Sequence, residues 1–95
     1  MDQRTDIITR KYILTGRVQG VGFRWFAKRT AENFNIFGYA KNEYDGSVLV
    51  VAQGLIENVE SFELELSKGP SYGRIINMSI EYPDNDNVYK HFEIR

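Results

Sequence analysis

Gly16-Arg17-Val18-Gln19-Gly20-Val21-Gly22-Phe23-Arg24 joins an alternating segment, Lys11 to Val18, to a segment of helical periodicity that begins at Phe23. Glycines in a strand-to-helix connection let successive main-chain N–H groups converge at φ angles other residues avoid, and the first N–H groups of a helix have no internal partner. A concavity of this kind carries partial positive charge and suits a phosphate. Arg24, inside the first helical turn, adds a guanidinium fork that matches two phosphate oxygens at once. The glycines alone fit a tight turn somewhat better than an anion cradle. The arginine after them brings the two readings nearly level.

Two familiar phosphate motifs are excluded. A P-loop places Lys and then Ser or Thr after its last glycine, whereas Phe23 and Arg24 follow Gly22. The dinucleotide fingerprint needs a third glycine and a longer βαβ unit, and Gly20-Val21-Gly22-Phe23-Arg24-Trp25 lacks that glycine.

Outward from the glycine stretch, Tyr12, Leu14, Gly16 and Val18 alternate with Ile13, Thr15 and Arg17, predicting the first strand. Met1 to Thr9 is polar apart from Ile7-Ile8 and is expected to be a flexible tail (1–9) before a single domain over 10–95. Phe23, Phe26, Ala27, Thr30 and Phe34 form a helical stripe, which Asn33, Asn35 and Gly38 can end. A strand from Ile36 to Asn42, an Asp45-Gly46 turn and a strand from Ser47 to Gln53 follow; the last is apolar on both faces, which suggests a central position. Leu55, Val59, Phe62 and Leu66 mark a second amphipathic helix that Gly69-Pro70 ends. Ile76, Met78, Ile80 and Tyr82 predict a half-exposed strand, Asp84 to Asn87 a solvated turn, and Val88 to Ile94 a closing strand. The order βαββαβ plus a short closing strand predicts an α+β, ferredoxin-like sandwich: a split βαβ with a mixed or antiparallel sheet and both helices on one face.

Composition narrows the function. Ninety-five residues suffice for one domain, and 12 basic against 13 acidic residues give a net charge of -1. With no basic run longer than two residues, nucleic acid is disfavoured as a partner. The absence of cysteine excludes disulfides, thiolate metal sites and a cysteine nucleophile, and a single histidine excludes a histidine-rich metal site. No apolar run approaches a membrane span or a signal-peptide core, so a soluble, cytoplasmic protein with no membrane partner is expected. His91 reads as a solvent-facing strand residue, Asp84 and Asp86 as turn residues and Glu57, Glu60 and Glu63 as a solvated helix face. Phe23, Trp25 and Phe26 read as packing, and Arg17 either supports the cradle or faces solvent, so it is left out of the site. Asn42, just before the Asp-Gly turn, fits best as a turn-starting residue; the functional reading is an amide that holds a water beside a bound phosphate.

The run Gly16 to Arg24, followed by Gly38-Tyr39-Ala40-Lys41-Asn42, Asp45-Gly46-Ser47-Val48, Gly54, Lys68-Gly69-Pro70-Ser71 and Phe92-Glu93-Ile94, resembles the acylphosphatase family over nearly everything from Tyr12 onward. The resemblance implies a small ferredoxin-like hydrolase that cleaves the carboxyl–phosphate bond of acyl phosphates without a metal or cofactor. It also implies that Arg24 binds the phosphate, that Asn42 positions the attacking water, and that main-chain N–H groups of Gln19, Gly20, Val21, Gly22 and Phe23 complete the cradle. Inorganic phosphate is then product and inhibitor, and a monomer is expected. Tyr44 stands where the family commonly has proline and Ala40 where it commonly has valine; neither supplies chemistry, so loop shape and affinity are what they affect. Other readings are a noncatalytic phosphate-binding relative, a module of a larger maturation enzyme and an RNA-binding ferredoxin-like domain. Intact Arg24 and Asn42 disfavour the first and a stop just after the last strand the second. The third suffers from a Ser47–Gln53 strand without aromatics.

Overall fold

A computed structural model describes residues 6–84 and 87–95 of the chain. The elements are β1 (Ile7–Arg17), α1 (Phe23–Asn33), β2 (Phe37–Asn42), β3 (Val48–Leu55), α2 (Ile56–Leu66), β4 (Arg74–Glu81) and β5 (Phe92–Ile94). They form one sheet in the order β4-β1-β3-β2-β5, antiparallel except for the parallel β2–β5 pair. The period-2 alternation puts Tyr12, Leu14, Ala40, Val48, Val50, Ala52 and Phe92 on one sheet face. There they form a single cluster with Phe23, Ala27 and Ala31 of α1 and Val59, Phe62 and Leu66 of α2. Both helices therefore cover the same face, as the ferredoxin-like expectation requires.

Several segments differ from the sequence expectation; Leu55, expected in the second helix, is instead the last residue of β3. Ile7, Ile8 and Thr9 are not tail but the first residues of β1, paired with Leu55, Gly54 and Gln53. Backbone pairing to the central strand orders them although their side chains alternate poorly; Met1–Thr5 lie outside the described residues. In β4 the inward residue at the start is Ile75, not Ile76, which is 77% exposed. The register jumps from Thr15↔Asn77 to Gly16↔Ile75, so Ile76 is the extra residue of a bulge and the pattern switches face there. Gly16, at φ 120°, accepts this because a Cβ would stand 2.3 Å from the Arg74 carbonyl oxygen. The closing strand is three residues, Phe92–Ile94, rather than the whole of Val88–Ile94. Its approach is spent crossing the other face of the sheet.

That crossing explains why β3 is apolar on both sides. Gln53 Nε2 donates to Asn87 O at 2.7 Å and to Thr9 Oγ1 at 3.0 Å, while Tyr89 N–H donates to Gln53 Oε1 at 3.0 Å. The Tyr89 ring meets that of Tyr39 edge-on at 6.1 Å, and Val51 beneath is 5% exposed. Of the expected 84–87 turn, Asn85 and Asp86 lie outside the described residues. On the helix side, Arg10 Nη1 and Tyr12 Oη both donate to Glu63 Oε1, at 3.0 and 3.1 Å, fastening α2 to β1. Glu63 is thus a tertiary tie rather than part of a solvated helix face.

Candidate active site

The cradle loop hangs between two buried side chains, Val18 and Phe23, which are 1% and 2% exposed. Between them Gly20 and Gly22 adopt left-handed φ angles of 74° and 77°, and Gly22 caps α1. An L side chain at such angles is strained by its own backbone. Nothing lies within 4 Å of a Cβ built on either glycine, so their role is conformational and the loop has an open outer face. α1 has neither a side-chain N-cap nor an acidic residue in its first turn, so no carboxylate of the helix occupies its N-terminal N–H groups.

Arg24 is half-buried at the start of α1, and its Nη1 donates to the main-chain oxygen of Arg95 at 2.9 Å. The Arg95 N–H donates in turn to Ala40 O at 2.8 Å. This chain of contacts brings the Arg24 guanidinium to the end of β2, two residues from Asn42. The Arg95 side chain lies over the Tyr39 ring, 3.9 Å from its centroid, and its Nε donates to Glu93 Oε2 at 3.0 Å. Arg95 donating first, and then the His91 ring, holds the Glu93 carboxyl below the usual carboxylate range.

Asn42 ends β2 opposite Val48, half-buried and on the Ala40 face, the helix side of the sheet. Its amide makes no protein hydrogen bond among the described residues. The turn-starting role belongs to another residue. Asp45 Oδ1 accepts from the Ser47 N–H at 2.9 Å and from the Ser47 hydroxyl at 2.6 Å, and Gly46 N–H closes on Glu43 O at 3.1 Å. Those bonds, the Ser47 hydroxyl foremost, hold the Asp45 carboxyl below its usual range. The Asn42 amide is left available to a ligand or water.

The loop and the hairpin are tied directly. Gln19 Nε2 donates to Glu43 O at 2.8 Å and to Ser47 O at 2.9 Å. The sequence reading assigned only the main chain of Gln19 to the site and did not single out Arg95. A side-chain amide next to two glycines was the available signal for the first; the second had none, because its contacts are long-range. The chain folds Gln19–Phe23, Arg24 and Asn42 onto one end of the sheet, and Arg17, left out of the site, lies on the opposite sheet face. Among the described residues no group of three or more His, Asp or Glu side chains converges as a metal site.

The fold and most of the sequence have counterparts among known proteins. The acylphosphatase family model matches residues 10–94. The chain belongs to the acylphosphatase family. An acylphosphatase of Koribacter versatilis is 41% identical over 90% of this chain and 78% of its own, and one of Oceanobacillus iheyensis is 41% identical over 90% and 94%. The crystal structure of acylphosphatase from Bacillus subtilis superposes with a TM-score of 0.89 at 29% identity, covering 95% of this chain and 99% of that one. Family membership and fold agree, since the acylphosphatase sheet with two helices is the sheet described above. No helix among the described residues is long and apolar enough to cross a membrane.

Proposed function

We propose that this acylphosphatase holds the phosphoryl group of an acyl phosphate with Arg24 and the main-chain N–H groups of Gln19, Gly20, Val21, Gly22 and Phe23. Asn42 positions the attacking water. The observation that carries this assignment is the pair of contacts, Gln19 to the hairpin and Arg24 through Arg95 to β2, which sets the loop, the guanidinium and a free amide at one end of the sheet.

Hydrolysis of the carboxyl–phosphate bond suits such a site. A loose phosphoryl-transfer transition state asks mainly for charge on the nonbridging oxygens and a water in line. Converging N–H groups and a guanidinium supply the first, and the Asn42 side-chain oxygen, accepting from water, supplies the second. The leaving group is a carboxylate whose conjugate acid has a pKa of about 4, so it departs without a general acid. The water's proton passes to a phosphate oxygen of the substrate. Alkyl phosphate monoesters, which expel a far more basic alkoxide, are poor substrates at the same site. Inorganic phosphate, as product, competes for the cradle, and the protein acts as a cytoplasmic monomer without a cofactor.

The test is hydrolysis of benzoyl phosphate by chelator-treated protein, beside folded Arg24→Ala and Asn42→Ala variants. Turnover by the parent that falls by about a hundredfold or more in each variant is expected. Variants that retain parental kcat/KM would overturn the assignment of these two residues.

A further inference from the structure

On the sheet face opposite the helices, Arg17 at the end of β1 stands directly across from Arg74 at the start of β4. Like charges directly opposed on neighbouring strands repel, with Cβ atoms about 5 Å apart. The chain has 13 acidic residues, yet neither guanidinium has a side-chain partner among the described residues. Beside them the turn Pro70–Gly73 is closed by Gly73 N–H donating to Pro70 O at 3.0 Å. It is pressed onto β1 so tightly that a Cβ at Gly73 would lie 3.2 Å from the Arg17 carbonyl oxygen. The turn holds the Tyr72 ring out into solvent, 82% exposed, and the β4 bulge does the same for Ile76. Arg17, Tyr72, Arg74 and Ile76 line a surface cavity of about 790 Å³ together with Ser71 and Gly73.

We propose that this cavity is a second ligand site, separate from the catalytic cradle, for an organic phosphate monoester that carries a planar ring. Two adjacent guanidinium forks match a dianionic phosphate and relieve their mutual repulsion by binding it. Tyr72 and Ile76 offer a planar and an apolar surface to the ring. Aryl phosphates and nucleoside monophosphates share this chemistry. The short backbone ties of the turn fix the main chain from which Tyr72 projects beside the two arginines.

The test maps amide shifts by NMR during titration with phenyl phosphate, adenosine monophosphate and inorganic phosphate, in the parent chain and in Arg24→Ala. Residues 71–76 and Arg17 shift with both organic phosphates, in Arg24→Ala as in the parent. The response of those residues to inorganic phosphate is about tenfold weaker. Arg17→Ala and Arg74→Ala each weaken the organic ligands by about ten- to hundredfold, with benzoyl phosphate turnover in their absence unchanged. Preference for one organic ligand over the other tells which source of the ring the site was shaped for. Shifts confined to residues 19–24, affinities unaffected by both arginine substitutions, or inorganic phosphate binding equally well would overturn the proposal.

Discussion

The side-chain amide of Gln19 reaches out of the glycine loop to the main-chain oxygen of Glu43 at 2.8 Å, so the loop and the hairpin that follows Asn42 are held as one unit. A second bond from the same nitrogen, to Ser47 O at 2.9 Å, spans the hairpin. Gln19→Ala removes both donors and leaves two carbonyl groups to find water. We expect kcat/KM for benzoyl phosphate to fall by about ten- to hundredfold, because small displacements of positioned groups are costly in a reaction that depends on alignment. The thermal midpoint should move little. A variant with parental kcat/KM would show that the tether is not needed for catalysis.

Gly22 and Gly16 both have positive φ, but they should respond differently to alanine. At Gly22 there is room for a Cβ, so Gly22→Ala costs only the left-handed backbone strain, about 1–2 kcal/mol, with a loss of activity as the loop relaxes. At Gly16 the Cβ meets the Arg74 carbonyl oxygen at 2.3 Å and the Ile76 nitrogen at 2.8 Å, both main chain. Gly16→Ala should therefore lose more stability in urea denaturation and disturb β1–β4 pairing. Equal losses in the two variants would contradict this.

The Asp45 carboxyl, lowered by the Ser47 hydroxyl and N–H, links the hairpin to pH. A group whose folded pKa is depressed contributes stability that is fully present above its unfolded pKa, about 3.9. The contribution is lost as pH falls through the lower folded value. Carboxyl carbon shifts in an NMR titration should place the Asp45 midpoint below that of an unfolded peptide, and Ser47→Ala should return it toward the ordinary value. An unchanged midpoint in Ser47→Ala would exclude the hydroxyl as the main cause.

Glu63 accepts from Arg10 and Tyr12 with the same oxygen, and Arg10 Nε is buried beside them without a partner. Glu63→Ala strands both donors, and a loss of about 2–3 kcal/mol is expected in chemical denaturation at neutral pH. Burial, and then the Glu63 charge, push the Tyr12 phenol above its ordinary value. A raised phenol pKa contributes stability that is fully present below the unfolded value, about 10, and lost as pH rises through the folded one. Tyr12→Phe should therefore flatten the alkaline limb of the stability profile. An alkaline limb identical to the parent's would contradict the assignment to Tyr12.

What the sequence determined by itself is local in origin. Alternation from Tyr12 to Leu14 and from Val48 to Ala52, the stripe of Phe23, Ala27 and Thr30, and the glycines of the loop follow from periodicity and backbone sterics, which act over a few residues. They fix the element order, the helix-covered face and the glycine turn between β1 and α1. The tertiary structure decided what depends on distant partners. Ile7–Thr9 became strand because Leu55, Gly54 and Gln53 pair with them. Ile76 turned outward because the β1–β4 register slips at Gly16. The turn-forming role passed from Asn42 to Asp45, and the amide of Gln19 and the main chain of Arg95 came to hold the loop and Arg24. Hydrogen bonds between residues 24 and 71 positions apart leave no periodic trace in a sequence, because each needs only a donor and an acceptor that folding brings within about 3 Å.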